Sequence, residues 1–185
     1  MVLKPLTDLY DPKYLELSYP QLLDQCETVF ENYFITTEMA TNTEKHTRGQ
    51  SHSKLWFEQR AGRVTASKLK AAVCTNMSQP SMSLIKSVCY PESNCFKSEA
   101  TSWGCEHENT AIKAYASQEG SNHKKIVISD NRLVIHCSHP FMGTSPDSFV
   151  KCECCGKGVI EVRYPYSCKQ TSINKKAAED SQFFL

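Results

Sequence analysis

The chain of 185 residues contains no run of about 18 consecutive apolar residues, the length that a membrane-spanning helix requires. Its first residues, Met1 to Asp8, lack the apolar central region of a secretory signal. These absences predict an intracellular protein without a membrane partner, not secreted, and in the nucleus if the organism is eukaryotic. Internal repeats and low-complexity tracts are also missing, and 40% hydrophobic content at this length suits one compact domain.

A large excess of either charge is missing too, because the formal net charge is only +1. This balance hides a segregation along the chain. Residues 1–44 hold 2 basic and 8 acidic side chains, whereas residues 45–70 hold 7 basic and 1 acidic side chain. A local basic patch is typical of proteins that bind a phosphate backbone, so the neutral total does not exclude nucleic acid as a partner. Alternatively, the patch serves only the acidic N-terminal segment.

Cysteine is abundant, with ten residues. In an intracellular protein this number suggests free thiols or a metal site rather than disulfides. The candidates for zinc are Cys152, Cys154, Cys155 and Cys168, with Cys137 and His139 as further donors. No second Cys-x2-Cys pair follows, so the spacing argues against structural zinc and favours reduced thiols in a hairpin.

Two carboxylates border a predicted hairpin near the end of the chain. Asp147 follows Pro146 at one strand edge, and Glu161 lies on the next strand after a turn. Alternation over residues 160–163 places Glu161 and Arg163 on one face of that strand. Paired carboxylates predict a divalent-metal site. The alternative is that Asp147 is a turn residue and Glu161 a solvated strand residue.

A third carboxylate lies on a predicted helix over residues 103–115. Gly104, Glu108, Ala111 and Tyr115 recur at helical spacing, and Ile112 and Cys105 extend their stripe into an apolar face. Glu108 is therefore predicted to point inward, where a metal or a basic partner would offset the cost of burying its charge. Alternatively, it lies at the exposed border of the stripe.

A basic helix start over residues 60–70 predicts a phosphate site. Thr65 or Ser67 can cap this helix, and Arg60 is one of its flanking cations. The alternative is an ordinary solvated helix start.

Hydrophobic periodicity predicts a mixed sheet flanked by helices. Leu22, Leu23, Cys26, Val29, Phe30 and Phe34 indicate an N-terminal helix that packs on the core. The other predicted helices cover residues 37–47, 65–73, 81–89, 101–118 and 171–179, and the predicted strands cover 125–129, 132–137, 142–150 and 158–164. The domain prediction is an N-terminal helical segment, residues 1–53, and an α/β core, residues 54–185.

Several motifs together resemble a known family. Pro146-Asp147 and Glu161-Val162-Arg163 resemble the PD-(D/E)xK nuclease core, with arginine where lysine is usual. The wider order resembles the phage lambda exonuclease and YqaJ-type viral recombinase family, in its animal-type branch. That order comprises Glu44, Thr47, Gln50-Ser51, Leu55-Trp56, RAGRVTAS from Arg60, WGCEHENTAIKAY from Trp103, GTSPDSFV from Gly143 and GVIEVRYPYSCK from Gly158.

The resemblance implies a restriction-endonuclease-like α/β fold and a Mg2+-dependent deoxyribonuclease, 5'-to-3' exonuclease-like, with Mn2+ as a substitute. Its role would be end resection in recombination or repair. Glu108, Asp147, Glu161 and the Val162 carbonyl would hold the metal, and Arg163 would take the place of the catalytic lysine. Arg60, Thr65 and Ser67 would bind the terminal phosphate. The implied partners are duplex DNA ends, a single-strand annealing protein and further copies of the chain.

Arginine stays charged and cannot act as a base, so a catalytically impaired protein that binds DNA ends is the second hypothesis. A zinc-stabilised interaction module is the third. Family members continue with further elements beyond the last residues of this chain, which predicts a truncated nuclease core.

Overall fold

The computed structural model describes residues 2–47, 53–93, 98–130, 132–180 and 183. Gln50 and Ser51, two residues of the resemblance, lie outside these ranges. The chain divides into two compact units. Unit 1 comprises Met1–Asn94 and Arg132–Ser145, and unit 2 comprises Cys95–Asn131 and Pro146–Leu185. The predicted boundary at residues 53 and 54 stays a prediction.

The described residues form both helices and strands, and the predicted α/β class is confirmed. The α-helices are α1 Tyr19–Asn32, α2 Thr37–His46, α3 Lys54–Arg60, α4 Ala66–Cys74, α5 Met82–Cys89, α6 Glu99–Glu119 and α7 Ile173–Glu179. The strands are β1 Val64–Thr65, β2 Val127–Asp130, β3 Val134–Ile135, β4 Met142–Thr144, β5 Ser148–Cys152 and β6 Gly156–Ile160. Short 3-10 helices cover Leu6–Leu9, Pro12–Glu16 and Tyr166–Cys168. Within the described ranges, no helix is both long and apolar enough to span a membrane.

The strands form two three-stranded sheets rather than one. In unit 1 the order is β1-β4-β3, with β1 parallel and β3 antiparallel to β4. In unit 2 the order is β2-β5-β6, and both pairings are antiparallel. The mixed character that the sequence predicted is therefore found in the sheet of unit 1.

Two predicted strands need correction, and one helix was missed. The single strand over residues 142–150 is two strands in different sheets, β4 and β5, because Pro146 between them has no N–H for a sheet hydrogen bond. The strand over 158–164 ends at Ile160. Helix α3 was not predicted, since seven residues give too short a stretch for helical periodicity.

Helix α1 begins as its sequence predicts. The Ser18 backbone N–H donates to Gln21 Oε1 at 2.9 Å, completing a capping box. Its predicted packing on the core is wrong for most of the apolar face, because Phe30 is 54% exposed and Phe34 is 81% exposed. These side chains instead line an apolar groove of about 800 Å³ in unit 1.

Polar side chains join α2 to the core of unit 1, which is formed by Leu3, Leu133 and Ile135. Thr43 Oγ1 accepts the Leu3 N–H at 3.0 Å, and Thr47 Oγ1 accepts the Leu133 N–H at 3.2 Å. The neighbouring Glu44 pairs with Arg132 at 2.6 Å. Glu44 and Thr47, two of the residues on which the family resemblance rests, therefore hold β3 in place.

Arg63 is the largest fully buried side chain, with only 1% of its surface exposed. Its guanidinium donates to the Pro140 carbonyl at 2.9 Å, to the Gln59 carbonyl and to Tyr33 Oη at 3.5 Å. Burial lowers the pKa of Arg63, because desolvation disfavours its charged form. One cation of the predicted basic patch is therefore structural and unavailable to a phosphate.

Replacing Arg63 with Ala is expected to lower the free energy of unfolding by about 3 kcal/mol, because the change leaves buried acceptors without a donor and creates a cavity. Urea unfolding followed by circular dichroism measures this loss. The exposed Lys70, from the same basic stretch, is the control, and Lys70→Ala should change stability by less than about 0.5 kcal/mol. Equal stability of the two variants would contradict the structural role of Arg63.

Candidate functional site

The β5–β6 hairpin brings Asp147 and Glu161 to one end of the sheet in unit 2. Ser148 pairs with Ile160, so Asp147 immediately precedes the first pair and Glu161 immediately follows it. Asp147 Oδ2 accepts the Val162 N–H at 2.6 Å, which links the two chain segments beyond the ladder. Asp147 is therefore more than a turn residue, because its carboxylate is held against the segment that carries Glu161.

Glu108 lies on the half-buried stripe of α6, as the helical spacing predicted. Gly104, Ala111 and Tyr115 share that stripe, whereas Cys105 is exposed. The sequence interpretation of Cys105 as part of the apolar face is therefore wrong. A half-buried carboxylate in mid-helix has lost part of its hydration without becoming inaccessible.

The charge of Asp147 affects the protonation of Glu108 and Glu161. Burial raises the pKa of Glu108, and the charges of Asp147 and then Glu161 raise it further. The pKa of Glu161 is also raised by partial burial and by Asp147, while the nearby Arg163 guanidinium opposes this shift. Like charges that interact this way disfavour their common ionised form. A bound cation would remove that penalty, so the electrostatics of the cluster fit a metal site.

The donor set also fits a hard divalent cation. Carboxylate oxygens are the ligands that Mg2+ and Mn2+ prefer, and Mg2+ usually keeps several waters beside one or two carboxylates. In the described part of the chain, the carboxylate oxygens of Glu108, Asp147 and Glu161 are not all within 4.8 Å of one another. Closure of all three on one ion would therefore need bridging water or side-chain rotation.

Arg163 lies beyond the end of β6, so the predicted strand does not carry it. The alternation nevertheless continues past Ile160. Val162 is half-buried, and Glu161 and Arg163 are exposed on the other side. The extended segment thus presents a carboxylate and a cation together, which is the arrangement that the sequence pattern indicated.

An aromatic surface beside these residues was not predicted. The ring centroids of Trp103 and His107 on α6 lie 3.8 Å apart, and Tyr164 stacks on His107 at 4.5 Å with an interplanar angle of 25°. Lys169 Nζ lies 5.0 Å from the centroid of the Trp103 ring. Tyr164 is 40% exposed. The sequence feature that could have indicated this surface is the position of Tyr164 next to Arg163.

The predicted phosphate residues lie in unit 1. Arg60 Nη1 donates to Ser145 Oγ at 3.4 Å, and its guanidinium lies 4.1 Å from the centroid of the Trp56 ring. Thr65 occupies the N-cap position of α4, with its hydroxyl 3.3 Å from that of Ser67. Among the described residues, the Thr65 side chain makes no capping hydrogen bond, so the helix-capping prediction for it is wrong.

The hairpin cysteines meet a histidine that the sequence interpretation did not include. Cys152, Cys154 and Cys155 converge with His123, whereas Cys168 lies outside this group in the 3-10 helix Tyr166–Cys168. The other proposed donors, Cys137 and His139, belong to unit 1.

The family model of the YqaJ-like viral recombinase domain matches residues 55–183, which is more than half of the chain. A search of curated proteins found no match.

Proposed function

Because this chain belongs to the YqaJ-like viral recombinase domain family, a family of nucleases, we propose that it is a divalent-metal-dependent exonuclease that hydrolyses phosphodiester bonds at duplex DNA ends. Nuclease and DNA-binding roles follow from the family itself. The metal requirement, the preference for ends and the 5'-to-3' direction are our proposals. The observation that carries the metal requirement is the interacting group of Glu108, Asp147 and Glu161, in which two carboxyl groups have raised pKa values.

Glu108, Asp147 and Glu161 would hold the metal, with the Val162 carbonyl as a further ligand. When bound, Mg2+ or Mn2+ supplies Lewis acidity, which activates water and neutralises charge on the phosphate. The Val162 N–H orients Asp147 through its hydrogen bond to Oδ2. Glu108 contributes from a helix, so its position is determined independently of the hairpin.

Arg163 would stabilise the negative charge that develops on the phosphoryl oxygens. Its guanidinium interacts with Glu161, so it lies at the carboxylate group rather than apart from it. A guanidinium keeps its proton at any physiological pH and therefore acts as an electrostatic group and not as a base.

The aromatic surface of Trp103, His107 and Tyr164 would stack against unpaired bases near the reacting phosphate. Such stacking is worth about 1–3 kcal/mol per base and tolerates any sequence. Lys169, over the Trp103 ring, adds a positive charge suited to the backbone.

Replacing Tyr164 with Ala is expected to weaken single-strand binding about tenfold, because it removes the exposed ring of the stack. The exposed Tyr90 of unit 1 is the matched control, and Tyr90→Phe and Tyr90→Ala should bind like the parent. Fluorescence anisotropy with a labelled oligonucleotide measures the binding. An unchanged affinity for Tyr164→Ala would remove the aromatic surface from the proposal.

Arg60, Thr65 and Ser67 would bind a terminal 5'-phosphate. The Ser67 hydroxyl, now paired with that of Thr65, and the first amides of α4 are hydrogen-bond donors, and the Arg60 guanidinium is half-buried between Trp56 and Ser145. A guanidinium held in this way suits a phosphate because its planar donors match two oxygens at once.

Replacing Arg60 with Ala is expected to reduce binding of 5'-phosphorylated ends about tenfold and to change binding of 5'-hydroxyl ends much less. Competition between the two duplexes measures this difference. Lys54→Ala, on the same helix, is the control for loss of a surface cation and should affect both duplexes equally. An equal loss on both duplexes for Arg60→Ala would make Arg60 an ordinary backbone contact.

A catalytically impaired protein that binds DNA ends is the second candidate function, favoured by arginine at position 163. The experiment that separates the two is digestion of an end-labelled duplex with Mg2+, Mn2+ or EDTA, on ends with and without a 5'-phosphate. Stepwise shortening that EDTA abolishes supports the nuclease. End binding without shortening in either metal supports the impaired protein.

A further inference from the structure

Four soft metal ligands converge at the tip of the β5–β6 hairpin, away from the carboxylates. Cys152 ends β5, and Cys154 and Cys155 form the turn to β6. His123 lies in the turn that follows α6. The Nδ1 atom of His123 and the three Sγ atoms all lie within 4.8 Å of one another.

Five of the six separations between these atoms match the edges of a zinc tetrahedron. His123 Nδ1 lies 3.4 Å from Cys154 Sγ and 3.5 Å from both Cys152 Sγ and Cys155 Sγ. Cys154 Sγ lies 3.5 Å from Cys152 Sγ and 3.7 Å from Cys155 Sγ. With Zn–S near 2.3 Å and Zn–N near 2.0 Å, tetrahedral edges are about 3.5 Å for N–S pairs and about 3.8 Å for S–S pairs. A disulfide would need sulfurs about 2.05 Å apart, so these spacings are not those of disulfide bonds.

Outer polar contacts already orient His123. His123 Nε2 lies 3.4 Å from Glu119 Oε2, so Nδ1 is the nitrogen that faces the sulfurs. Asn122 Nδ2 donates to the same Glu119 oxygen at 3.2 Å. A carboxylate behind a ligating histidine is the usual outer partner of zinc sites, because it sets the tautomer and the ring orientation.

The backbone of the turn also brings the cysteine side chains together. The Cys155 N–H donates to Cys152 Sγ at 3.2 Å, and the Glu153 N–H donates to the Lys124 carbonyl at 2.9 Å. Gly156 has φ +86°, a conformation that residues with a side chain rarely adopt. The tight turn places two consecutive cysteines on one centre.

We propose that His123, Cys152, Cys154 and Cys155 bind a structural Zn2+ ion. Three thiolates and one imidazole select zinc over Mg2+, and four protein ligands leave no open position for catalysis. This differs from the sequence expectation of reduced thiols, and His123 replaces Cys168 as the fourth ligand. The ion would join the end of α6 to the hairpin tip, and these same two elements carry Glu108, Asp147 and Glu161.

Metal analysis of the full chain tests the proposal. After expression with zinc and dialysis, mass spectrometry should find about one zinc per chain, and Co2+ should replace it with the absorption of a tetrahedral thiolate site. Cys154→Ser and His123→Ala should lose most of this zinc. Cys168→Ser and the exposed Cys105→Ser are matched controls and should keep it.

A measurement on the parent protein does not depend on whether the variants fold. A strong chelator should release the zinc and make three additional thiols reactive. Asp147→Asn should retain zinc, which separates this site from the proposed nuclease site. Absence of zinc together with no thiolate absorption in Co2+ would overturn the proposal. So would equal loss of zinc in Cys168→Ser and Cys154→Ser.

Discussion

Asp147→Asn is expected to lower DNA cleavage by at least about a hundredfold while leaving the fold intact. Asparagine has the same shape and keeps an oxygen that can accept the Val162 N–H, so the hydrogen bond at 2.6 Å survives without the charge. Glu161→Gln should have the same effect. The measurement is the rate of digestion of an end-labelled duplex in Mg2+, with circular dichroism to verify folding.

The carboxylate cluster also predicts how these variants respond to metal without DNA. The parent protein should gain thermal stability in Mn2+, because the cation removes repulsion among Glu108, Asp147 and Glu161. Glu108→Gln should lose that gain yet be as stable as the parent in EDTA, since it relieves the same repulsion by itself. Glu106→Gln is the matched control, because Glu106 lies on the exposed side of α6.

Digestion by Asp147→Asn at the parental rate would show that the assignment of this carboxylate is wrong. Loss of activity in Glu106→Gln to the same degree as in Glu108→Gln would show that charge loss on α6 is harmful in general. In that case the inward position of Glu108 would carry no special role.

Arg163→Lys is expected to raise the cleavage rate about tenfold over the parent, because lysine can share its proton and is smaller than arginine. Arg163→Ala should lower the rate about a hundredfold, since no cation then faces the developing charge on the phosphate. The Arg163 charge also opposes the raised pKa of Glu161, so its loss should raise that pKa further.

Lys157→Ala is the control for these variants, because Lys157 is an exposed cation on β6 of the same hairpin. It should alter cleavage little. If the parent and Arg163→Lys are both inert in Mg2+ and in Mn2+ yet bind duplex ends, the result supports the impaired end-binding protein. An Arg163→Ala variant as active as the parent would exclude any role of Arg163 in the reaction.

Short-range patterns carried much of the sequence interpretation. Helical spacing predicted α6 within two residues at its start and one at its end, and it placed Glu108 on the half-buried stripe. The α/β class follows from the same periodicities. Local prediction was weaker where an element is short, as in α3, or where a proline divides two strands, as at Pro146, because few residues then carry the period.

The sequence by itself determined the family and the α/β class, since these depend on order and spacing along the chain. It also supplied the three carboxylates of the proposed nuclease site and three of the four residues of the proposed zinc site. Only the tertiary structure decided which distant residues meet. It buried Arg63 among neutral oxygens instead of leaving it on the basic patch. It also brought His123 to Cys152 across 29 residues, in place of the nearer Cys168. No local periodicity in the sequence predicts these long-range contacts, because they depend on how helix α6 and the hairpin pack.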